Sequence, residues 1–286
     1  MTSADAGGAE PPADDADTGV VAADLAPDDL AELLVNGDLE IAGRLSDASN
    51  VTLLAEVSWN GLKADCVYKP IRGERPLWDF PDGSLAGREV AAALVAHAAG
   101  WECVPPTFLR DGPVGTGMVQ LWIDDADSET MVDLFPRKKL PKGWLPVLRA
   151  TDATGSPAVL AHADDPRLQL LATFDLVVNN ADRKGPHVLP VVGGPVYGVD
   201  HGLTLHTENK LRTVLWGWAG EPLPEQGVEG LHRLRAAVAG DLGELLAELL
   251  TLTEIAALQR RVDRLLDRPE FDRPPEHRTP IPWPPL

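Results

Sequence analysis

The chain has 286 residues and a mass of 30.6 kDa, with 44% hydrophobic and 24% charged residues. That balance excludes collagen-like, coiled-coil and wholly disordered classes and leaves enough chain to bury one sizeable core. Against 25 Lys and Arg stand 44 Asp and Glu, a net charge of -19, which repels nucleic acid and anionic lipid except at a local basic patch.

The charge is unevenly placed. Residues 1–43 hold 11 acidic and no basic residues, so the remainder has 33 acidic against 25 basic residues, or only -8. Residues 1–27 are mostly Ala, Asp, Gly and Pro and bury too little apolar surface to offset the entropy of ordering, which predicts a disordered acidic tail. The tail has neither a basic n-region nor an apolar h-region, and no run of 18 apolar residues occurs anywhere, so no export signal and no integral membrane association are expected. Cys66 and Cys103 show no CxxC spacing, which supports neither a disulfide framework nor a cysteine zinc site and fits a cytoplasmic location.

From residue 28 to 123 the pattern predicts antiparallel sheet with one inserted helix. A strand over 39–45 is joined by 46–50 to a strand over 51–59, followed by Asn60-Gly61 and a strand over 62–69. Asn-Gly is the favoured type I′ hairpin turn; it pairs Trp59 with Leu62 and places Lys69 opposite Thr52, at the far end from the turn. An alanine-rich helix over 88–99, with Gly100 at C′, sets Glu89 in its first turn. Strands over 104–109 and 114–123 flank the turn Asp111-Gly112-Pro113. The connector GERPLWDFPDG, 73–83, is so aromatic and proline-rich that Trp78 and Phe80 are expected to pack against the body of the protein.

Residues 124–268 read as mostly helical. A helix over 166–178 has Asp164 or Asp165 as N-cap and Pro166 at its first position. Helical periodicity returns over 231–250 and 252–266, the latter opened by a Thr251/Glu254 capping box. Residues 269–286 form a proline-rich arm, with six prolines among the last 17 residues and Trp283 as its expected anchor. Within this half, 137–149 carries five basic residues and no acidic one; it is either a lid for an anionic acceptor or an ordinary solvated loop.

Between these helices lies the hairpin HVLPVV-GG-PVYGVD. A two-residue Gly193-Gly194 loop pairs Val192 with Pro195 and, counting outward, His187 with Asp200, whose Cβ atoms then lie about 5 Å apart, within reach of one metal ion. A bulge slips the register by one and sends the two side chains to opposite faces. Just upstream, in NNADRKGPH, Asp182, Arg183 and Lys184 leave an apolar helix at a break rich in Asn, Gly and Pro. An acid five residues before His187, beside a second acid in VDHG, supplies a base or hydroxyl-orienting carboxylate next to a divalent-metal pair, the requirement of phosphoryl transfer. Taken alone, Lys69 is a solvated strand-end lysine, Glu89 a macrodipole partner and His187 a core histidine; their order along the chain is what joins them.

Lys69 in VYKP, Glu89 in the helix, DRKGPH and then VDHG follow the order of motifs found in the phosphatidylinositol 3- and 4-kinases and related protein-kinase-like enzymes. More closely, VYKPIRGERPLWDFPDG and FDLVVNNADRKG resemble an actinobacterial group described as related to those kinases, over about residues 36–268. The resemblance implies an α+β, two-lobed protein-kinase-like fold that binds ATP with Mg2+ or Mn2+. It implies that Lys69 binds the α and β phosphates and is held by Glu89, that Asp182 orients the acceptor hydroxyl with Arg183 beside it as a further catalytic residue, and that Asp200 holds metal between phosphates.

His187 stands where the family has Asn, and imidazole suits manganese better than magnesium. The phosphate loop, SDASN, lacks a glycine run, which leaves cradling to Ser46, Ser49 and Asn50. Gln120, Leu121 and Trp122 correspond to the hinge strand whose backbone meets adenine. The expected activity is transfer of the γ-phosphoryl group to a hydroxyl of a protein or small cytosolic molecule. Nucleotidyl (AMP) transfer and a nucleotide-binding pseudokinase are the alternatives.

Overall fold

In the computed structural model, which describes residues 25–45, 50–124 and 129–286, the Asn-Gly turn folds as its residues dictate. Asn60 and Gly61 both take positive φ, 51° and 82°, and join β2 (Leu53–Trp59) to β3 (Leu62–Pro70) with Trp59 opposite Leu62 and Leu53 opposite Tyr68. With β1 (Asp38–Arg44), β4 (Thr107–Gly112) and β5 (Gly115–Leu121), the hairpin forms a five-stranded antiparallel sheet in the order β1-β2-β3-β5-β4. The tail over 1–24 and the phosphate-loop serines Ser46 and Ser49 lie outside the described residues.

Alternation along these strands puts Ala55, Val57, Cys66, Tyr68 and Val119 on one face, and α1 (Pro27–Asn36) covers that face with Leu30, Leu33 and Leu34. This helix begins where the sequence reading ends the tail; its i, i+3, i+4 leucines form too short a stripe to stand out beside the acidic run. Arg110 from β4 donates to the carbonyls of Leu34 and Gly37 at its C-terminal end.

α2 (Leu85–Ala99) runs between the sheet and the second lobe, capped by the Ser84 hydroxyl, which accepts the Gly87 N–H, and ended by Gly100 at φ 67°. It starts three residues before the expected position, because Ser84 rather than a later residue is the N-cap, so Glu89 lies in its second turn and not its first. Small residues suit a helix buried on nearly all faces: Ala91, Ala92, Val95 and Ala96 meet the main core while Ala86 and Val90 meet Met118 of the sheet.

The second lobe is built around α3 (Pro166–Val178), opened by Asp165, whose carboxylate accepts the Arg167 N–H. Around it stand α4 (Glu225–Val238), α5 (Asp241–Ala247) and α6 (Leu252–Asp267), the last with the expected Thr251/Glu254 capping box. The single helix expected over 231–250 is two, broken at Ala239 and Gly240.

This lobe also holds a three-stranded antiparallel sheet that the sequence reading lacks: β6 (Val132–Pro136), β7 (Trp144–Thr151) and β8 (Pro157–Ala163) in the order β6-β8-β7. The basic run over 137–149 is therefore the β6–β7 connection and an edge strand bulged between Pro146 and Leu148.

Two aromatic expectations reverse. Trp78 is 91% exposed while Phe80 is buried, edge-on to His206 with Arg88 over its ring. The C-terminal arm is anchored by Ile281 and Phe271, leaving Trp283 85% exposed. The arm lies along the lobe through backbone bonds from Thr213 to Pro280 and from Gly185 to Pro285. No helix among the described residues is long and apolar enough to cross a membrane.

Candidate active site

α3 delivers the candidate loop. Asn179 takes the left-handed conformation at φ 56° and ends the helix, after which Asn180 holds the next turn: its Oδ1 accepts the Asp182 N–H at 2.9 Å while its Nδ2 donates to Asp175 at 3.0 Å. Arg183, expected beside Asp182 as a further catalytic residue, is instead completely buried. Its Nε and Nη2 bind the Asp175 carboxylate, its Nη1 donates to the carbonyls of both His187 and Val199, and its Nη2 donates to His201 Nε2 at 2.7 Å. The guanidinium thus ties together, from beneath, the two segments that carry the candidate metal ligands. The loop's second cation is the half-buried Lys184, whose Nζ lies 2.9 Å from Asp182 Oδ2.

The hairpin β9 (Val188–Pro190) and β10 (Val196–Gly198) has a register one residue from that expected. Val188 pairs with Gly198 and Pro190 with Val196, and a Val191 N–H to Pro195 carbonyl bond closes a three-residue loop. His187 is therefore opposite Val199, whose N–H it accepts. Strict alternation from that register would part His187 and Asp200, yet His187 Nε2 lies 3.5 Å from Asp200 Oδ2. Both residues have left the pleat: His187 ends a 3-10 turn (Gly185–His187) and Asp200 has φ 62°.

One ligand atom each from Asp182, His187 and Asp200 falls within 4.8 Å of the others. The donor set fits a divalent ion. His187 Nδ1 bonds to the Asp182 carbonyl at 3.0 Å, which fixes the tautomer and leaves the Nε2 lone pair toward Asp200, the arrangement of a ligating histidine. Burial holds the His187 imidazole below its usual range against the opposing pull of Asp200, so the neutral, ligating form is favoured.

From the other lobe, Lys69 at the end of β3 places Nζ 2.7 Å from Glu89 Oε1 and 2.8 Å from Asp200 Oδ1. Burial alone would lower this lysine's pKa, but Asp200 and then Glu89 outweigh it and raise it above the ordinary value. Lys69 in turn holds the Asp200 carboxyl well below its usual range, against the opposing effect of desolvation in the cleft. Glu89, nearly enclosed, is drawn upward by burial while Lys69 opposes the shift. Its second oxygen accepts the His201 N–H at 3.3 Å. Arg88 completes the bridge between lobes, donating to Thr204 O, Asp82 O and the buried Glu254 carboxylate of α6.

The nucleotide side differs from expectation in two respects. Leu121 and Trp122 have already committed their backbone N–H groups, to the carbonyls of Pro106 and Asp65, so neither N–H is open to a base. Gln120 is buried and its side chain donates to Thr107. Asn50, expected to cradle phosphate, accepts the Arg75 N–H on its Oδ1 at 2.9 Å and so holds the β3–α2 connection.

No family model matches the chain, so the resemblance to the phosphatidylinositol kinases is not confirmed. The fold is that of the protein kinases. The crystal structure of the Golgi casein kinase superposes with a TM-score of 0.50 at 14% identity, over 87% of this chain and 78% of that one. The Helicobacter pylori proinflammatory kinase CtkA covers 83% of this chain and 94% of its own at a TM-score of 0.43 and 9% identity. Sequence similarity is far higher to Protein Rv2133c of Mycobacterium tuberculosis (strain ATCC 25618 / H37Rv), which is 53% identical over 266 residues, 90% of this chain and 95% of that protein. At that identity and coverage, the chain belongs to the same family as Protein Rv2133c, built on a protein-kinase-like fold.

Proposed function

We propose that the protein is a metal-dependent phosphotransferase that moves the γ-phosphoryl group of ATP to a hydroxyl of a protein or small molecule. The observation that carries this reading is the convergence of Asp182, His187 and Asp200 with Lys69, itself held by Glu89 from the other lobe. Lys69 binds the α and β phosphates. Asp200 and His187 hold Mg2+ or Mn2+, which when bound neutralises phosphate charge and orients the γ-phosphoryl group. Asp182 accepts a hydrogen bond from the acceptor hydroxyl and takes its proton as the oxygen attacks the γ-phosphorus. The bond from that phosphorus to the bridging oxygen breaks and ADP departs. Lys184, poised on Asp182, turns toward the charge on the transferred group.

The carbonyls of 120–122 and backbone groups beyond Trp122 take the adenine, since the N–H groups of Leu121 and Trp122 are spent. Arg183 acts only through the loop it braces.

Intact-mass spectrometry after incubation with ATP and Mg2+ or Mn2+, together with measurement of ADP release, tests this. A phosphoryl-sized gain or ADP release in the wild type that is lost in Asp182→Ala supports the reading. An adenylyl-sized gain would replace it with AMP transfer, and ATP that binds but is never consumed with any acceptor tried would replace it with a nucleotide-binding module.

A further inference from the structure

A second cationic cluster stands apart from the cleft. Arg260, Arg261 and Arg264 of α6 line a hollow of about 290 Å3. It adjoins another of about 310 Å3 lined by Arg273 and Arg278, the two sharing Arg264, Asp272, Asn209 and Leu211. Together they reach the size of a small-molecule pocket.

Their basic charge is compensated only in part. Five guanidiniums meet one lining carboxylate, Asp272, and Arg264 already engages both of its oxygens, at 2.7 and 3.0 Å. Arg260 and Arg264 repel one another at i, i+4 on the helix. Arg261 spends Nε on the Val177 carbonyl and Nη1 on that of His206, while its Nη2 is buried with no hydrogen-bond partner among the described residues. Burial and then the neighbouring Arg260 and Arg264 push its pKa down to about 10, and Arg278 is lowered by burial and Arg212.

In a chain of net charge -19, so many arginines around one hollow are not background composition. Planar guanidinium forks match phosphate oxygens in pairs, with more geometric demand than a lysine cluster makes. Leu176, Leu211 and Trp216 supply an apolar floor, which suits an organic group attached to the phosphate. We propose that this hollow binds a phosphorylated small molecule at a site separate from the cleft of Lys69 and Asp200. It lies behind the C-terminal end of α3, joined there by the Arg261 bond to Val177 and by Asn179 in its wall.

Isothermal titration with inorganic pyrophosphate, in EDTA and at ionic strength matched with sodium chloride, tests the site with the cleft's metal chemistry silenced. Saturable binding is expected in the wild type and in Lys69→Met/Asp200→Asn. In Arg260→Gln/Arg273→Gln, two exposed positions, it should weaken at least about tenfold, since a charge-assisted hydrogen bond contributes about 1.5–3 kcal/mol. The charge reversal Arg260→Glu gives an independent variant should the pair fold poorly, with the same expected loss. No saturable heat in the wild type, or binding lost in the cleft variant and kept in the arginine variants, overturns the proposal without touching the phosphotransfer reading.

Discussion

The Asp175 carboxylate, in the last turn of α3, and the Arg183 guanidinium, eight residues later in the loop, form an ion pair sealed from solvent, with Nη2–Oδ1 at 2.9 Å and Nε–Oδ2 at 3.0 Å. Because Arg183 also reaches the carbonyls of His187 and Val199, the pair decides where both candidate metal-ligand segments sit. Asp175→Ala strands the buried cation, and removing one partner of such a pair costs about 3–5 kcal/mol. Urea denaturation should show a loss of that size. A loss below about 1 kcal/mol, the level of an exposed surface pair, would mean that the loop is held by other contacts.

Lys69 is shared between Glu89 and Asp200, which join α2 to the hairpin end through one ammonium group. Lys69→Met should lower ATP turnover at least about 100-fold, the scale of losing one preorganised charge contact at a reacting phosphate. Glu89→Gln keeps the shape and retains one carboxylate on Lys69, so its turnover should fall less than that of Lys69→Met. Steady-state ADP release measures both. Wild-type turnover in Glu89→Gln would show that Asp200 alone positions the lysine.

His187 offers Nε2 beside Asp200 while its Nδ1 is fixed on the Asp182 carbonyl. Exchange for an amide oxygen replaces a borderline-soft donor with a hard one, so His187→Asn should move the ratio of turnover with Mn2+ to turnover with Mg2+ toward magnesium. ADP release across a titration of each metal reads the ratio. An unchanged profile would remove His187 from the ligand set.

Much of this site was legible from local rules. Asn60-Gly61 has one favoured turn, and that turn carries Lys69 to the end of β3 by counting alone; Asp165, Pro166 and the Thr251/Glu254 box mark helix starts by satisfying orphan backbone donors. His187 and Asp200 were paired by a register that the hairpin does not have. They meet because a 3-10 turn and a positive φ each depart from the alternation on which the count relied. The burial of Arg183 was not legible, since whether an arginine fork turns inward depends on a partner brought near by the end of α3. The one local hint is Asp175, the single carboxylate of α3, set between Phe174 and Leu176. The β6–β8 sheet was hidden by prolines at 136, 146 and 157, which break the period-two pattern but stand where a missing N–H is tolerated, on the edge strands β6 and β7 and at the first residue of the central β8.

His162 offers a titration remote from the proposed chemistry. Its ring is completely buried on β8, with Nδ1 bonded to the Ala163 carbonyl and Nε2 accepting the Gly217 N–H, and burial depresses its pKa from 6.5 to about 4. Only the neutral ring satisfies both bonds, because protonated Nε2 cannot accept. Above the unfolded value of 6.5 the ring is neutral in both states and its full contribution to stability is present. As pH falls from 6.5 toward 4 the unfolded chain binds a proton that the folded chain refuses, so stability drops, by on the order of 3 kcal/mol for a shift of this size. Below about 4 both states are protonated and the loss levels off. His162→Gln retains an acceptor for Gly217 and removes the titration, so its unfolding free energy should vary less steeply than that of the wild type between pH 6.5 and 4. Parallel slopes for the two proteins in urea unfolding across that range would show that His162 does not set the acid sensitivity of the fold.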